Sequence, residues 1–141
     1  MPMTMHVDIA STEARIFSGR ASSLVATGTL GDMGILPGHA PLLTALIPGP
    51  VRLMTQDGEE QIFYVSGGYL EVQPGTVTIL ADTAIRADDM DVVQAEQAKR
   101  DAEEAIQNRD AAFEYSRAAT QLAEAAAQLR TLQQLRKKLN G

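Results

Sequence analysis

Through residues 1–86, apolar and polar side chains alternate in short runs bounded by glycine or proline. MHVDIA, from Met5, alternates in this way. A period of two places one set of side chains on a core face and the other on a solvent face, so the runs read as half-buried strands. RIFSGRASSLVATG, residues 15–28, is longer, and its Ser18-Gly19 pair predicts a bend or bulge. Further on, strand-like pieces at 51–56, 61–65, 69–73 and 76–81 are separated by Asp57-Gly58, Gly67-Gly68 and Pro74-Gly75. All three are strong turn dipeptides, and Ser66-Gly67-Gly68 reads as a hairpin turn rather than an oxyanion loop. Many short strands with no helix-length stretch between them predict an antiparallel sandwich or barrel, not a parallel α/β sheet.

After residue 86 the period changes. Val92, Ala95, Ala98, Ala102, Ala105 and Ile106 fall on one face at helical spacing. Asp88 or Asp89 is the expected cap of this helix, and Asp91 adds negative charge at the positive end of its dipole. Asn108-Arg109-Asp110 is the expected link to a second helix from about residue 112 to 139. There Leu122, Leu129, Leu132, Leu135 and Leu139 form a drifting apolar stripe. Two helices with a short link make an antiparallel hairpin. Its seam is mostly alanine, so each contact buries little apolar area, and the hairpin is expected to leave its resting place at modest cost.

Composition agrees with this division. Residues 1–86 hold ten of the 11 glycines and all six prolines, which punctuate turns and break helices. The chain thus divides into a β-sandwich domain, 1–86, and a C-terminal antiparallel α-helical hairpin, 87–141. The net charge of −6 argues against a nucleic-acid partner. No apolar run approaches the length of a membrane span, and MPMTMHVDIA carries no secretory signal pattern. With no cysteine there is no disulfide, cysteine nucleophile or thiolate metal site. His6 and His39 lack metal-ligand spacing, and no GxSxG or P-loop pattern occurs. No catalytic residue or cofactor is therefore expected, and a binding role fits better than an enzyme.

GDMGILPGHAPLLTAL, residues 31–46, concentrates glycine, proline and bare aliphatics. One reading is a rigid apolar loop suited to gripping another protein, because little entropy remains to be lost on binding. The other is a sandwich corner that turns Leu36, Leu42 and Leu43 into the core. Arg130, Arg136, Lys137 and Lys138 make the last stretch basic with no acid among them. They suit the helix dipole, or they form a patch for an acidic partner.

These motifs, together with YVSGGYLEVQPGTVTILADTAIRADDMD, AKRDAEEA and AQLRTLQ, carry a resemblance along the whole chain. It resembles the epsilon subunit of bacterial F-type ATP synthases. The resemblance implies an N-terminal β-sandwich and a two-helix hairpin in the central-stalk rotor, peripheral to the cytoplasmic face of a cell inner membrane. It implies a non-catalytic subunit that helps couple proton flow to ATP synthesis, with the gamma subunit, the c-ring and the catalytic alpha and beta subunits as partners. By the same resemblance Asp32, His39 and Leu43 are c-ring contacts, and Arg130, Arg136, Lys137 and Lys138 meet an acidic segment of the beta subunit. The hairpin either lies on the sandwich or extends into the catalytic head, where it inhibits ATP hydrolysis. The alternative is a free-standing sandwich adaptor that binds an acidic protein through its hairpin.

Some members of that family bind ATP at a motif on the first helix that includes Asp, Arg and Ala. Asp91, Gln94 and Ala95 occupy those places here, with Gln94 for the arginine. A neutral amide supplies neither the charge nor the donor fork of a guanidinium, so this chain is expected to bind ATP weakly or not at all.

Overall fold

A computed structural model of the chain describes residues 3–107 and 112–140. Nine strands come first: β1 (Met5–Ser11), β2 (Arg15–Gly28), β3 (Gly31–Ile35), β4 (Leu42–Leu46), β5 (Gly49–Thr55), β6 (Glu60–Val65), β7 (Gly68–Gln73), β8 (Thr76–Ala81) and β9 (Ala84–Arg86). One ladder runs β9–β6–β5–β2–β3 and the other β4–β7–β8–β1. They join where β1 pairs with the first half of β2, and where Leu46 of β4 pairs with Gly28. Between the ladders lie Ile9, Leu24, Leu53, Phe63, Leu70 and Ile79, all fully buried. Burying a side chain of this kind is worth about 1.5–3 kcal/mol, so this layer is the main stabilising element of the sandwich.

The expected sandwich is there, with four differences in detail. The β1–β8 pair is parallel, from His6↔Thr76 to Ser11↔Ala81. The two strands lie far apart in sequence, so no tight turn forces them antiparallel. Ser18 and Gly19 pair regularly with Asp8 and Val7, and the irregularities of β2 fall on either side of them, between Arg15 and Phe17 against β1 and between Ala21 and Ser23 against β5. Gly67-Gly68 is not a hairpin turn. β6 pairs with β5 and β9, whereas β7 pairs with β4 and β8, so here the chain crosses between ladders. Gly68 has φ +133°, and a Cβ there would lie 2.8 Å from Ala81 Cα and overlap the Leu80 carbonyl. The crossing strand therefore packs against β8 only because that residue has no side chain.

The fourth difference concerns residues 31–46. They are two strands, β3 and β4, joined by a short connector, rather than one loop. The connector holds a tight turn in which His39 N–H donates to Leu36 O at 3.1 Å, with Pro37 second and Gly38 at φ +88° third. That is the residue order of a type II turn. The corner reading fails for two of its three residues: Leu42 packs on the core, while Leu36 and Leu43 are exposed.

β6 departs from alternation. Phe63 and Val65 enter the core, yet Ile62 and Tyr64 on the opposite face are only 5% and 1% exposed. They are covered by the second helix, which packs against β5 and β6. Arg86 closes β9 against the sandwich: Nη1 donates to Gln61 Oε1 at 2.8 Å, Nη2 donates to Ile16 O at 2.9 Å, and the guanidinium lies 5.2 Å from the Phe63 ring centre.

A short 3-10 turn, Ala87–Asp89, leads into helix α1 (Val92–Gln107), and α2 follows (Ala112–Asn140). Asp91, not Asp88 or Asp89, caps α1: its Oδ1 accepts from Val93 N at 2.9 Å and Gln94 N at 3.3 Å. Asp88 and Asp89 are taken up by the 3-10 turn. The expected link at 108–110 lies outside the described residues. The α1 seam is narrower than expected. Val92, Ala95, Lys99, Ala102 and Ile106 face inward, while Ala98 and Ala105 are exposed. Against it α2 sets Ala118, Leu122, Ala125, Leu129 and Leu132, and Leu139 is left exposed. Ala127 and Thr131 are fully buried on the other side of α2, about 200° and 240° round from Ala125 at 100° per residue. The helix thus buries two opposite faces, which is why its leucine stripe drifts. Thr131 is tolerated there because its hydroxyl donates to Ala127 O at 2.8 Å.

Candidate functional site

Outward-facing residues of β4, β7 and β8 form an uncovered apolar surface. Cross-strand register places Ala45 beside Tyr69 and Tyr69 beside Leu80. Leu43 lies two residues from Ala45 and so on the same face of the sheet. Leu43, Tyr69 and Leu80 are 67%, 60% and 59% exposed. Large apolar side chains exposed side by side make this face a candidate contact surface. Glu71 and Asp82 stand beside it, both ionisable and at least partly exposed. The sequence signal for Tyr69 and Leu80 is their phase. In YLEV and TVTILA the inward positions are already aliphatic, so a large apolar residue out of phase has no core to enter.

The three ring-contact candidates do not form one cluster. Leu43 joins the apolar face. Asp32 is exposed near the start of β3, paired with Thr27 of β2. His39 lies in the connector past the other end of β3, with Nδ1 and Ala40 O 2.7 Å apart. The ends of that five-residue strand are about 13 Å apart at ~3.3 Å per residue, so Asp32 and His39 flank one ribbon rather than share a point.

The basic residues of α2 are also dispersed. Arg130 Nη2 donates to Pro48 O at 3.3 Å and so touches the sandwich. Arg136 borders a cleft with Val92, Glu96 and Leu132 at the start of α1. Lys137 is exposed and Lys138 half-buried. At 100° per residue Arg130 and Lys137 lie within about 20° of one line and Lys138 about 80° from Arg130, while Arg136 faces away from these three. Among the described residues no ion pair links the hairpin to the sandwich, and the Arg130 bond is the one hydrogen bond that does.

Asp91, Gln94 and Ala95 divide their roles. Asp91 is the helix cap, Gln94 is exposed and Ala95 is buried. They border a cleft of about 140 Å³ completed by Ile85, Asp89, Met90 and Gln128. Two carboxylates and no cation line it, which is the wrong charge for a phosphate chain.

Candidate chemistry is sparse. His6 Nε2 lies 3.2 Å from Asp8 Oδ1 and 3.3 Å from Ser18 Oγ. Both contacts go to the same ring nitrogen, whereas a nucleophile relay needs one on each. The Ser18 hydrogen bond, followed by His6, holds the Asp8 carboxyl below the usual carboxylate range despite some burial. No group of three or more His, Cys, Asp or Glu side chains is placed to hold a metal among the described residues. No described helix is long and apolar enough to cross a membrane. Tyr64 is the one strongly perturbed acid among the described residues. Burial, then the Glu124 carboxylate, pushes it up to about 12, while Gln128 and Arg130 act in the opposite direction.

Comparison with known proteins adds the following. Residues 4–87 match a family model described as ATP synthase, Delta/Epsilon chain, beta-sandwich domain. Residues 88–133 match one described as ATP synthase, Delta/Epsilon chain, long alpha-helix domain. A chain in a cryo-EM structure of Euglena gracilis mitochondrial ATP synthase, OSCP/F1/c-ring in rotational state 1, is 19% identical. It superposes with a TM-score of 0.77 over 99% of this chain and 83% of that one. A chain from the central stalk/c-ring structure of Tetrahymena thermophila mitochondrial ATP synthase is 18% identical, with a TM-score of 0.65 over 92% of this chain and 97% of that one. At such identities the likeness is one of fold.

Proposed function

Because the chain belongs to the ATP synthase delta/epsilon family, we propose that it is a non-catalytic component of the central-stalk rotor. Its two functional units are the sandwich, 1–86, and the hairpin, 87–141. The sandwich grips the gamma subunit and rests on the c-ring, coupling proton flow to ATP synthesis. The hairpin restrains ATP hydrolysis by the catalytic alpha and beta subunits. The chain reaches the membrane through the complex, on the cytoplasmic face.

One observation carries the reading: the outer face of β4–β7–β8 exposes Leu43, Tyr69 and Leu80 together, while the outer face of β5–β6 is covered by α2. The uncovered apolar face supports a permanent partner, and the covered one supports a part that leaves. Asp32 and His39, at the two ends of β3, serve as polar flanking contacts to the ring. Arg130, Arg136, Lys137 and Lys138 meet acidic beta-subunit groups once the hairpin is extended.

The test is ATP hydrolysis by the reconstituted catalytic head, with the full chain and with a version ending at Ala87. Ending there keeps Arg86, whose three contacts hold β9 in place. Faster hydrolysis with the shortened chain is the expected result. Equal rates would mean that the hairpin does not restrain the head.

A further inference from the structure

Tyr64 holds the one buried side-chain polar atom without a hydrogen-bond partner among the described residues. It lies on the outer face of β6, opposite Pro50 of β5, and α2 covers it. The groups that act on its hydroxyl, Glu124, Gln128 and Arg130, all belong to α2. Gln128 lies near enough to act on the hydroxyl and lower its titration, yet no donor–acceptor pair at the hydroxyl meets hydrogen-bond distance and angle. Phe63 next to it fills a core site with the same ring and no hydroxyl.

We propose that the unpartnered Tyr64 hydroxyl beneath α2 keeps the hairpin weakly docked, so that the hairpin leaves the sandwich readily. A buried hydroxyl without a partner has lost its water and gained nothing in return. Lifting α2 restores that water, so this one oxygen favours the undocked state. Little opposes it. The docking face of α2 buries Ala127 and Thr131, and it makes the single 3.3 Å Arg130–Pro48 hydrogen bond and no ion pair among the described residues. The packing surface of the ring keeps the hairpin docked, and the hydroxyl limits how tightly.

The inference rests on the reading of a releasable hairpin, and it is tested on the isolated full chain, apart from the motor. The chain has no cysteine, so cysteines introduced at the exposed Asp57 and Arg117 take a dye pair that reports separation of α2 from the sandwich. Urea is added while circular dichroism follows the strands. In Tyr64→Phe the labels separate at higher urea, and the undocked-to-docked ratio at fixed urea falls roughly ten-fold. Gln128→Ala changes that ratio by the same factor in the wild-type and Tyr64→Phe backgrounds, since the two side chains are not bonded. An unchanged or higher ratio in Tyr64→Phe overturns the proposal, as does coupling of about five-fold or more between the two positions. If the labels separate only as the strands melt, docking is not a separate equilibrium and the proposal fails. None of these results alters the hydrolysis comparison, which bears on the motor role alone.

Discussion

Tyr69 and Leu80 face each other across the β7–β8 ladder, and among the described residues no element covers them. Their side chains contribute little to folding, so a charge there acts on assembly. Tyr69→Glu and Leu80→Glu should each weaken binding to the stalk partner at least ten-fold, as read by titration calorimetry, while the melting curve of the free chain stays within about 0.5 kcal/mol of wild type. A large shift in melting would assign these residues to the core instead. Tyr64 behaves in the opposite way, being invisible to partners and sensitive to docking. Its phenol ordinarily titrates near 10.0 and is pushed up to about 12 beneath α2. A raised docked value means that docking is fully supported below pH 10 and loses support as pH rises towards 12, because the undocked phenol ionises first. Subtracting the pH profile of Tyr64→Phe from that of wild type isolates this loss from lysine titration. A flat difference between pH 9 and 12 would contradict the burial of that hydroxyl. The resemblance alone singled out Asp32, His39 and Leu43 as ring contacts, and only register put Leu43 on the same sheet face as Tyr69 and Leu80. The side-chain period locates a face along one strand and says nothing about which strand lies next to it.

Elements were the most legible level where local chemistry decides. Alternation and turn dipeptides place β6 to β8 within one residue and β5 within two, because tight turns and a half-buried strand are satisfied locally. Gly67-Gly68 misleads, since the same residues serve a hairpin or a crossing, and only the pairing partners of β6 and β7 distinguish them. The capping acid misleads for a similar reason: Asp88, Asp89 and Asp91 are equivalent on paper, and the intervening 3-10 turn decides. Asp91→Ala should cost the hairpin about 1 kcal/mol through two lost bonds to backbone N–H groups. Asp88→Ala should cost much less, and thermal melts followed by helical circular dichroism compare the two. The unbroken apolar run IFYV in β6 is a signal that the chain offers openly. A strand that fails to alternate has both faces covered, and here the second cover is α2.

At the scale of the whole molecule, the cleft bordered by Asp91, Gln94 and Ala95 exists only because α1, α2 and the end of the sandwich converge. Its two carboxylates and small volume predict that calorimetry of the full chain with ATP gives no binding tighter than about 1 mM. Low-micromolar affinity would show that this charge arrangement is replaced when nucleotide enters. The sequence by itself determined that a glycine- and proline-punctuated β half precedes a proline-free helical half, and which family the chain resembles. These follow from local preferences: turn residues, side-chain period and helix breakers act within a few positions. Tertiary structure alone decided the parallel β1–β8 pair, the dispersal of Asp32 from His39, the two buried faces of α2 and the orphaned Tyr64 hydroxyl. Each depends on which distant segments meet, and contact between segments far apart in sequence is set by the packing of the whole core rather than by any run of residues within it.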